Sequence, residues 1–182
     1  MEEDHDLIKR YLNGNQDSLR ILIDKYTSPI YNYTARFVGS FQAPDVTQDI
    51  FVKVWKNLEN FDLNKSQFKT WLFTIARNTI TDYLRKKKIP SFSSLGDGEL
   101  MEENIQDSAI LPDEVYQKLQ DKDMLSKLID KLSDDHKTVL TLYYQEDMTF
   151  KEIGEVLGKP LDTVKSHHYR AIKKLKELCT KI

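Results

Sequence analysis

The residues of this chain best suited to chemistry fall on one side of a predicted helix at residues 161–179. At about 100° per residue, apolar side chains such as Val164 and Ile172 share one side of that helix, and polar side chains share the other. Hydroxyls, an aromatic ring and cations together can bind the phosphates and base edges of DNA. The polar side carries Asp162, Ser166, Tyr169, Arg170 and Lys173, with Lys165, His167, Lys174 and Lys176 on its flanks.

A short capped helix and a tight turn precede this basic helix. Thr149 followed by Glu152 makes a capping box, Gly158 suits the left-handed residue that ends a helix, and Pro160 prevents continuation. This is the layout of a helix-turn-helix, whose second helix enters the DNA major groove. An amphipathic helix with a merely solvated basic side would look the same alone, so the preceding turn is what favours DNA contact.

A polar loop and a long helix form a second candidate site for nucleic acid. The loop at 61–67 is bounded by Phe61 and Phe68, and the helix predicted over 68–88 ends in four consecutive cations. Aromatic edges and cations suit the bases and phosphates of a single strand. Cations at a helix C-terminus also complement the helix dipole and need no other role.

Acidic and amide side chains lie on the outer side of another predicted helix, at 43–58. By phase, Asp45, Gln48, Asp49 and Val52 fall on its exposed face and Trp55 on its buried face. The spacing alone favours simple solvation of this patch.

The elements that hold these residues are all predicted helices, so the expected fold class is all-α. Helices are expected over 4–13, over 17–38 with a kink or a restart at Ser28-Pro29, and over 43–58 and 68–88. A flexible acidic linker, 89–117, joins this first small domain, 1–88, to a second, 118–182, which ends in the helix-turn-helix. In the helix over 68–88, the expected inward face includes Trp71 and Ile75, and a partly apolar second side includes Phe73 and Ile80.

Composition argues against several classes of protein. The chain has 182 residues, 40% of them hydrophobic, which is enough for two packed cores. No apolar run reaches the length of a membrane span, the first residues are acidic rather than a secretory leader, and the lone Cys179 fits a reducing cytosol. The sequence has no metal-ligand spacing, phosphate-binding glycine loop or nucleophile–base arrangement, so neither a metal, a cofactor nor an enzyme is predicted.

The net charge of −2 conceals an uneven distribution of charge. Residues 1–88 hold fourteen Lys and Arg against eleven Asp and Glu, and residues 161–182 hold six against two. Residues 89–117 hold seven Asp and Glu and no Lys or Arg. Two segments with a positive excess therefore flank one that phosphate repels.

Three motifs, in order, resemble those of one known family. They are Asp-Val-Thr-Gln-Asp-Ile-Phe-Val-Lys-Val-Trp at 45–55, Phe-Lys-Thr-Trp-Leu-Phe-Thr-Ile-Ala-Arg-Asn at 68–78 with Asp-Tyr-Leu-Arg at 82–85, and Thr-Phe-Lys-Glu-Ile-Gly-Glu-Val-Leu-Gly-Lys-Pro-Leu-Asp-Thr-Val-Lys-Ser at 149–166. The chain resembles bacterial RNA polymerase sigma factors of the sigma-70 family, in the small extracytoplasmic-function (ECF) group. The resemblance covers nearly the whole chain. It implies a protein that binds core polymerase and directs promoter recognition, DNA melting and transcription initiation.

The resemblance also implies a role for each candidate site. Domain 1–88 would be sigma region 2, and domain 118–182 would be sigma region 4. The implied contacts to the β′ clamp helices of core polymerase are Asp45, Gln48, Asp49 and Val52. The implied contacts to the minus-ten element are Phe61, Asn64, Lys65, Ser66, Arg77, Asn78, Thr81, Asp82, Arg85 and Lys86. The implied contacts to the minus-thirty-five element are Thr163, Lys165, Ser166, His167, Tyr169, Arg170 and Lys173.

Partners and location follow from the same resemblance. Besides promoter DNA, the implied partners are core polymerase, through its β′ clamp helices and β flap, and an anti-sigma factor. The free protein would be a monomer in the bacterial cytoplasm, with no membrane contact.

Two residues depart from the family pattern, His167 and His168. By phase His168 points inward, whereas His167 is expected on the flank, near phosphate when protonated. The alternative is a stand-alone helix-turn-helix regulator whose N-terminal helices dimerise or sense a ligand.

Overall fold

The computed structural model describes residues 3–62, 64–87 and 127–179, and every regular element within those ranges is helical. The chain divides into two compact units, Met1–Ile89 and Pro90–Ile182. The all-α, two-domain fold class is therefore confirmed. The predicted linker, 89–117, and most of the helix predicted over 118–131 lie outside the described residues, although residues 127–129 are helical.

The N-terminal unit contains α1 (Asp4–Leu12), α2 (Gln16–Val38), α3 (Ala43–Asn57) and α4 (Phe68–Lys86), with a 3₁₀ turn at Leu58–Asn60. Gly14 and Gly39 follow α1 and α2 with φ angles of 98° and 83°, which glycine adopts without strain. Asn15 begins α2, because its side chain accepts a hydrogen bond from the backbone N of Ser18 at 3.2 Å. The ends of these helices thus follow the local sequence signals.

Helix α2 runs through Pro29 without interruption, so it does not restart at Ser28-Pro29, and the kink that proline would cause there stays a prediction. Proline removes the hydrogen bond to the carbonyl of Lys25, a residue that is exposed as a whole. Tyr26 and Ile30 are buried on either side of the proline. Their shared core holds both halves of the helix in place.

The core of the N-terminal unit lies between α2, α3 and α4. Tyr33 and Phe73 are fully buried and meet edge to face, with ring centroids 5.4 Å apart. Because α4 packs against both α2 and α3, its buried arc includes Phe73 and Ile80. The sequence placed those two residues on a second, partly apolar side. Trp71 and Ile75, expected inside, are instead partly exposed.

The described part of the C-terminal unit contains α5 (Asp134–Tyr144), α6 (Phe150–Leu157) and α7 (Leu161–Cys179). Helices α6 and α7 form the predicted helix-turn-helix. Thr149 and Glu152 make the capping box at the start of α6, and Gly158, at φ 64° and ψ 33°, ends it in the left-handed conformation. The core that supports α7 consists of Leu128, Ile129, Leu132, Leu140, Ala171, Ile172, Leu175 and Cys179.

Candidate nucleic-acid and polymerase interfaces

Helix α7 has the two sides that its sequence predicts. Val164, Ala171 and Ile172 on the apolar side are at most 3% exposed. On the opposite side Tyr169 is 40% exposed and Lys173 is exposed. The helix therefore offers a polar strip along which four further predicted contacts are half-buried: Thr163, Lys165, Ser166 and Arg170.

His167 is buried rather than flanking, which corrects the sequence interpretation. It is 8% exposed, and its Nε2 lies 3.3 Å from the Nζ of Lys159 in the turn before α7. Its ring lies edge-on to that of His136, with centroids 5.2 Å apart. Burial, and then the charge of Lys159, lower the pKa of His167 to about 4. The ring is therefore neutral near pH 7 and is not the protonated phosphate contact that the sequence suggested.

His168 lies inside the C-terminal unit, as the phase of α7 predicts. It is 3% exposed, and its Nε2 lies 3.2 Å from the hydroxyl of Tyr144. Its ring packs against Tyr143 and Phe150, each with centroids 5.1 Å away. Burial lowers the pKa of His168 as well. This residue is a packed core histidine that supports the helix-turn-helix from within.

Phe61, predicted to contact DNA, is instead part of an aromatic cluster. It is 8% exposed, and its ring lies 4.7 Å from that of Trp71 and 5.9 Å from that of Phe68, centroid to centroid. A ring that is 8% exposed offers little surface on which a base could stack, and the DNA contact of Phe61 stays a prediction. A loop has no regular period, so the sequence does not predict which of its side chains are buried. The burial of Phe61 is therefore not predicted.

The loop after Phe61 turns on Asp62. Its Oδ1 accepts a hydrogen bond from the backbone N of Asn64 at 3.0 Å, and its Oδ2 lies 3.4 Å from the Nζ of Lys65. The backbone hydrogen bond is the main reason that the pKa of Asp62 is lowered. Asn64 and Lys65 are exposed on this turn, and Ser66 is half-buried. The loop can therefore present an amide and an ammonium group to a strand.

Helix α4 carries the other predicted minus-ten contacts on one polar strip. Asp82 and Arg85 form an ion pair, with 2.9 Å between Oδ1 and Nη2. The Thr81 hydroxyl donates to the carbonyl of Arg77 at 2.9 Å. Asn78 lies ten residues after Phe68, which is about 15 Å along the helix axis. The strip consists of Arg77, Asn78, Thr81, Asp82, Arg85 and Lys86, of which Arg77 and Asp82 are half-buried and the others exposed.

Helix α3 exposes all four predicted polymerase contacts. Asp45, Gln48 and Asp49 are exposed, and Val52 is 40% exposed. Their spacing places them on one face of the helix, opposite the buried Ile50. The face thus combines two carboxylates and an amide with one apolar side chain.

Trp55 is an exposed aromatic residue that the sequence interpretation missed. It is 53% exposed, and its Nε1 donates a hydrogen bond to the hydroxyl of Tyr11 in α1 at 3.0 Å. Because residues three apart are neighbours on a helix, the indole lies beside Val52. The apolar phase of α3 placed Trp55 inside, and no sequence signal shows the hydrogen bond to α1.

These surfaces are suited to binding macromolecules. Within residues 3–62, 64–87 and 127–179, no group of three or more His, Cys, Asp or Glu side chains could hold a metal ion. No helix in the same ranges combines the length and apolar character that crossing a membrane requires. What the described surface offers instead is a polar helix-turn-helix strip, a second polar strip on α4 and an acidic face on α3.

Two family models match this chain. The model of sigma-70 region 2 matches residues 22–89, and the model of sigma-70 region 4 matches residues 128–177. The first range contains the α3 face and the α4 strip, and the second contains the helix-turn-helix.

Whole-length relatives and solved structures are also similar. The ECF RNA polymerase sigma factor SigW of Bacillus subtilis is 32% identical over 175 residues, 93% of each chain. The ECF RNA polymerase sigma-E factor of Escherichia coli K12 is 28% identical over 176 residues, 92% of this chain and 90% of that one. The structure of CnrH in complex with the cytosolic domain of CnrY has a TM-score of 0.71 at 23% identity and covers 99% of both chains. The sigma factor RpoE of Bartonella quintana, in complex with the anti-sigma factor NepR, has a TM-score of 0.65 at 22% identity and covers 88% of this chain and 96% of that one.

Proposed function

We propose roles for the described surfaces from the premise that this chain belongs to the ECF group of sigma-70 RNA polymerase sigma factors. As a sigma factor it directs promoter-specific transcription initiation with core polymerase. The proposals below concern which residues carry each contact. The three surfaces differ in chemistry, and each suits one part of that task.

Helix α7 reads the minus-thirty-five element as duplex DNA. Arg170 contacts a base edge, because a guanidinium can bind guanine through two hydrogen bonds. Ser166 and Tyr169 lie on the same polar strip and add contacts to bases or sugars. Thr163 and Lys165, near the start of the helix, contact phosphate, as does Lys173 farther along.

The loop at 61–67 and the strip on α4 bind the minus-ten element as it opens. Asn64, Asn78 and Asp82 supply hydrogen bonds to bases taken out of the stack, which cost a few kcal/mol to unstack. Arg77, Arg85 and Lys86 hold the phosphates of the captured strand, and Lys65, Ser66 and Thr81 line its path. Phe61 supports the loop from the core, since its ring is already packed against Trp71.

The α3 face binds core polymerase. Asp45, Gln48, Asp49 and Val52 contact the β′ clamp helices, and the C-terminal unit contacts the β flap. Exposed carboxylates beside an apolar residue suit a partner surface that is basic and partly apolar, and the proposal requires such a surface on the clamp helices. The wider role includes no enzymatic activity of its own.

An anti-sigma factor holds this protein inactive. The sigma factor itself acts in the bacterial cytoplasm and is a monomer when free. The support is that RpoE, which shares its fold, was solved in complex with the anti-sigma factor NepR. The experiment is co-purification of the full chain from its own cells. Recovery of the free chain as a dimer, with no inhibitory partner, would contradict this part of the proposal.

The observation that carries the proposal is the exposed row of Asp45, Gln48, Asp49 and Val52, which a stand-alone DNA-binding regulator would not need.

The experiment compares core-polymerase affinity and run-off transcription for the wild-type chain, Asp49→Lys and Asp24→Lys. Asp24 is an exposed carboxylate on α2, so its reversal is a matched control. We expect Asp49→Lys to weaken core binding by about tenfold or more and Asp24→Lys to leave it unchanged. Normal transcription with Asp49→Lys would contradict the polymerase contact. Duplex binding and regulation without core polymerase would support the stand-alone regulator.

A further inference from the structure

We infer that Lys159 is a positioning residue for promoter reading: its ammonium group ties α7 to α5 and fixes how α7 presents Ser166 and Arg170 to the base pairs. This inference rests on the proposed contact of α7 with the minus-thirty-five element. Lys159 lies in the turn of the helix-turn-helix, one residue before Pro160. It is absent from the set of residues that the sequence predicts to contact DNA.

The contacts of Lys159 join two helices. Its Nζ lies 2.8 Å from Oδ2 of Asp135, in the first turn of α5, and 3.3 Å from Nε2 of His167, in α7. The side chains of Lys159 and Asp135 are only 32% and 27% exposed. An ion pair that is mostly screened from water is held more firmly than a surface pair, so this contact can fix an orientation.

The same contact dictates the tautomer of His167. An ammonium group has only donors, so Nε2 of His167 must accept and its proton must lie on Nδ1. Within the described residues, Nδ1 is buried and makes no hydrogen bond, so the polar contact that orients the ring is the one to Lys159. The charged or titratable groups around it are Lys159, His136, Asp135 and Arg170.

The position of His167 explains why this bond matters for reading DNA. His167 directly follows Ser166 and lies three residues before Arg170, on adjacent faces of the helix. A small rotation of α7 about its axis would move both polar side chains together. Because a two-point contact to guanine demands precise placement, an error near 1 Å can cost about a hundredfold in function. Lys159 limits that rotation at the start of α7, in addition to the core contacts of Ala171 and Ile172 farther along the helix.

The experiment uses the full chain with core polymerase on its promoter, identified by sequencing the transcripts that this holoenzyme starts. Run-off transcription is measured on that promoter and on variants with single base-pair changes in the minus-thirty-five element. The proteins are the wild type, Lys159→Met, Lys159→Arg and Lys174→Met. Lys174 is an exposed lysine of α7 paired weakly with Glu177 at 4.0 Å, so its variant controls for the loss of one positive charge.

We expect Lys159→Met to reduce discrimination between the promoter and its variants by about fivefold or more, the lower range of one bidentate base contact. Lys159→Arg should keep most of the discrimination, and Lys174→Met all of it. In ¹H–¹⁵N spectra of the imidazoles, Lys159→Met should raise the pKa of His167 and leave that of His168 unchanged. The reason is that the charge of Lys159 depresses the first, whereas burial alone depresses the second.

Three results would overturn the inference. One is unchanged discrimination in a folded Lys159→Met protein. The second is equal weakening on every promoter with a smaller salt dependence and an unchanged His167 signal, which would make Lys159 a phosphate contact instead. If Lys159→Met fails to fold, Lys159→Arg is the deciding variant. Loss of discrimination in Lys159→Arg is the third result that would overturn the inference. Absence of minus-thirty-five discrimination by the wild type would instead contradict the proposed role of α7.

Discussion

The ring of Phe61 lies against the ring of Trp71, with centroids 4.7 Å apart and planes inclined by 34°. This contact ties the loop that precedes α4 to the helix itself. Phe68 joins the same cluster, at 5.8 Å from Trp71. The loop proposed to capture bases is therefore anchored at its first residue by aromatic packing.

Replacing Phe61 should test stability rather than DNA contact. Phe61→Ala should lower the free energy of unfolding of the N-terminal unit by about 3–5 kcal/mol, because it leaves a cavity among packed rings. Phe61→Leu, which retains most of the volume, should cost less than about 1.5 kcal/mol. Urea unfolding followed by tryptophan fluorescence measures both, since Trp71 is beside the site. If a stable Phe61→Leu protein fails to melt promoters, the ring contacts a base after all.

Local sequence signals were sufficient for most of the fold. The capping box of Thr149 and Glu152 and the left-handed Gly158 depend on residues close in sequence, and each lies where predicted. The side of α7 that carries Val164 is buried, as its period requires. These features follow from the geometry of a single helix and its ends.

The errors concern residues whose surroundings come from elsewhere in the chain. Pro29 stays within α2 because residues on both sides of it share a core. His167 is buried by a turn and by α5, and Trp55 is turned outward where it bonds to α1. Helical phase describes one helix alone, so it cannot show which flank a neighbouring element covers. The flexible acidic linker expected at 89–117 stays a prediction.

The capping box should contribute measurably to the stability of the helix-turn-helix. The backbone N of Thr149 donates to Oε2 of Glu152 at 2.7 Å, and the backbone N of Glu152 donates to Oγ1 of Thr149 at 3.3 Å. Thr149→Ala should lower the free energy of unfolding of the C-terminal unit by about 1 kcal/mol, whereas Thr149→Ser should be nearly neutral. Urea titrations read from backbone NMR signals of α6 give both values. Equal losses in the two variants would show that the hydroxyl is not what stabilises the cap.

Acid should destabilise the C-terminal unit before the N-terminal one. The pKa of His167 falls from its ordinary 6.5 to about 4 in the folded state, so the unfolded chain binds more protons between those values. The stability that this neutral histidine provides is complete above pH 6.5 and is lost as the pH falls toward 4. From pH 7 to pH 5 the loss should be about 2 kcal/mol, and His168 changes in the same direction.

The measurement of this acid effect has an internal control. Both tryptophans of the chain, Trp55 and Trp71, are in the N-terminal unit, where His5 is the only histidine and is exposed. Urea unfolding followed by their fluorescence should change little between pH 7 and pH 5. NMR signals of Leu140 and Leu175 should report the loss in the C-terminal unit, and His167→Gln should remove most of it. An equal pH dependence of both units would refute the assignment to His167.

Replacing Arg170 or Lys173 by alanine should have different effects on promoter recognition by the holoenzyme. A guanidinium bound to a base edge gives about 1–3 kcal/mol of discrimination, so Arg170→Ala should reduce preference for one base pair by about fivefold to a hundredfold or more. An ammonium at a phosphate carries no sequence information, so Lys173→Ala should weaken all promoters alike and lower the slope of log affinity against log salt by about one. Transcription from single-base-pair variants at several salt concentrations separates the two effects. If Arg170→Ala lowers activity uniformly and Lys173→Ala changes base preference, the proposed roles are reversed. Lys173 would then contact a base edge, and Arg170 would contact phosphate.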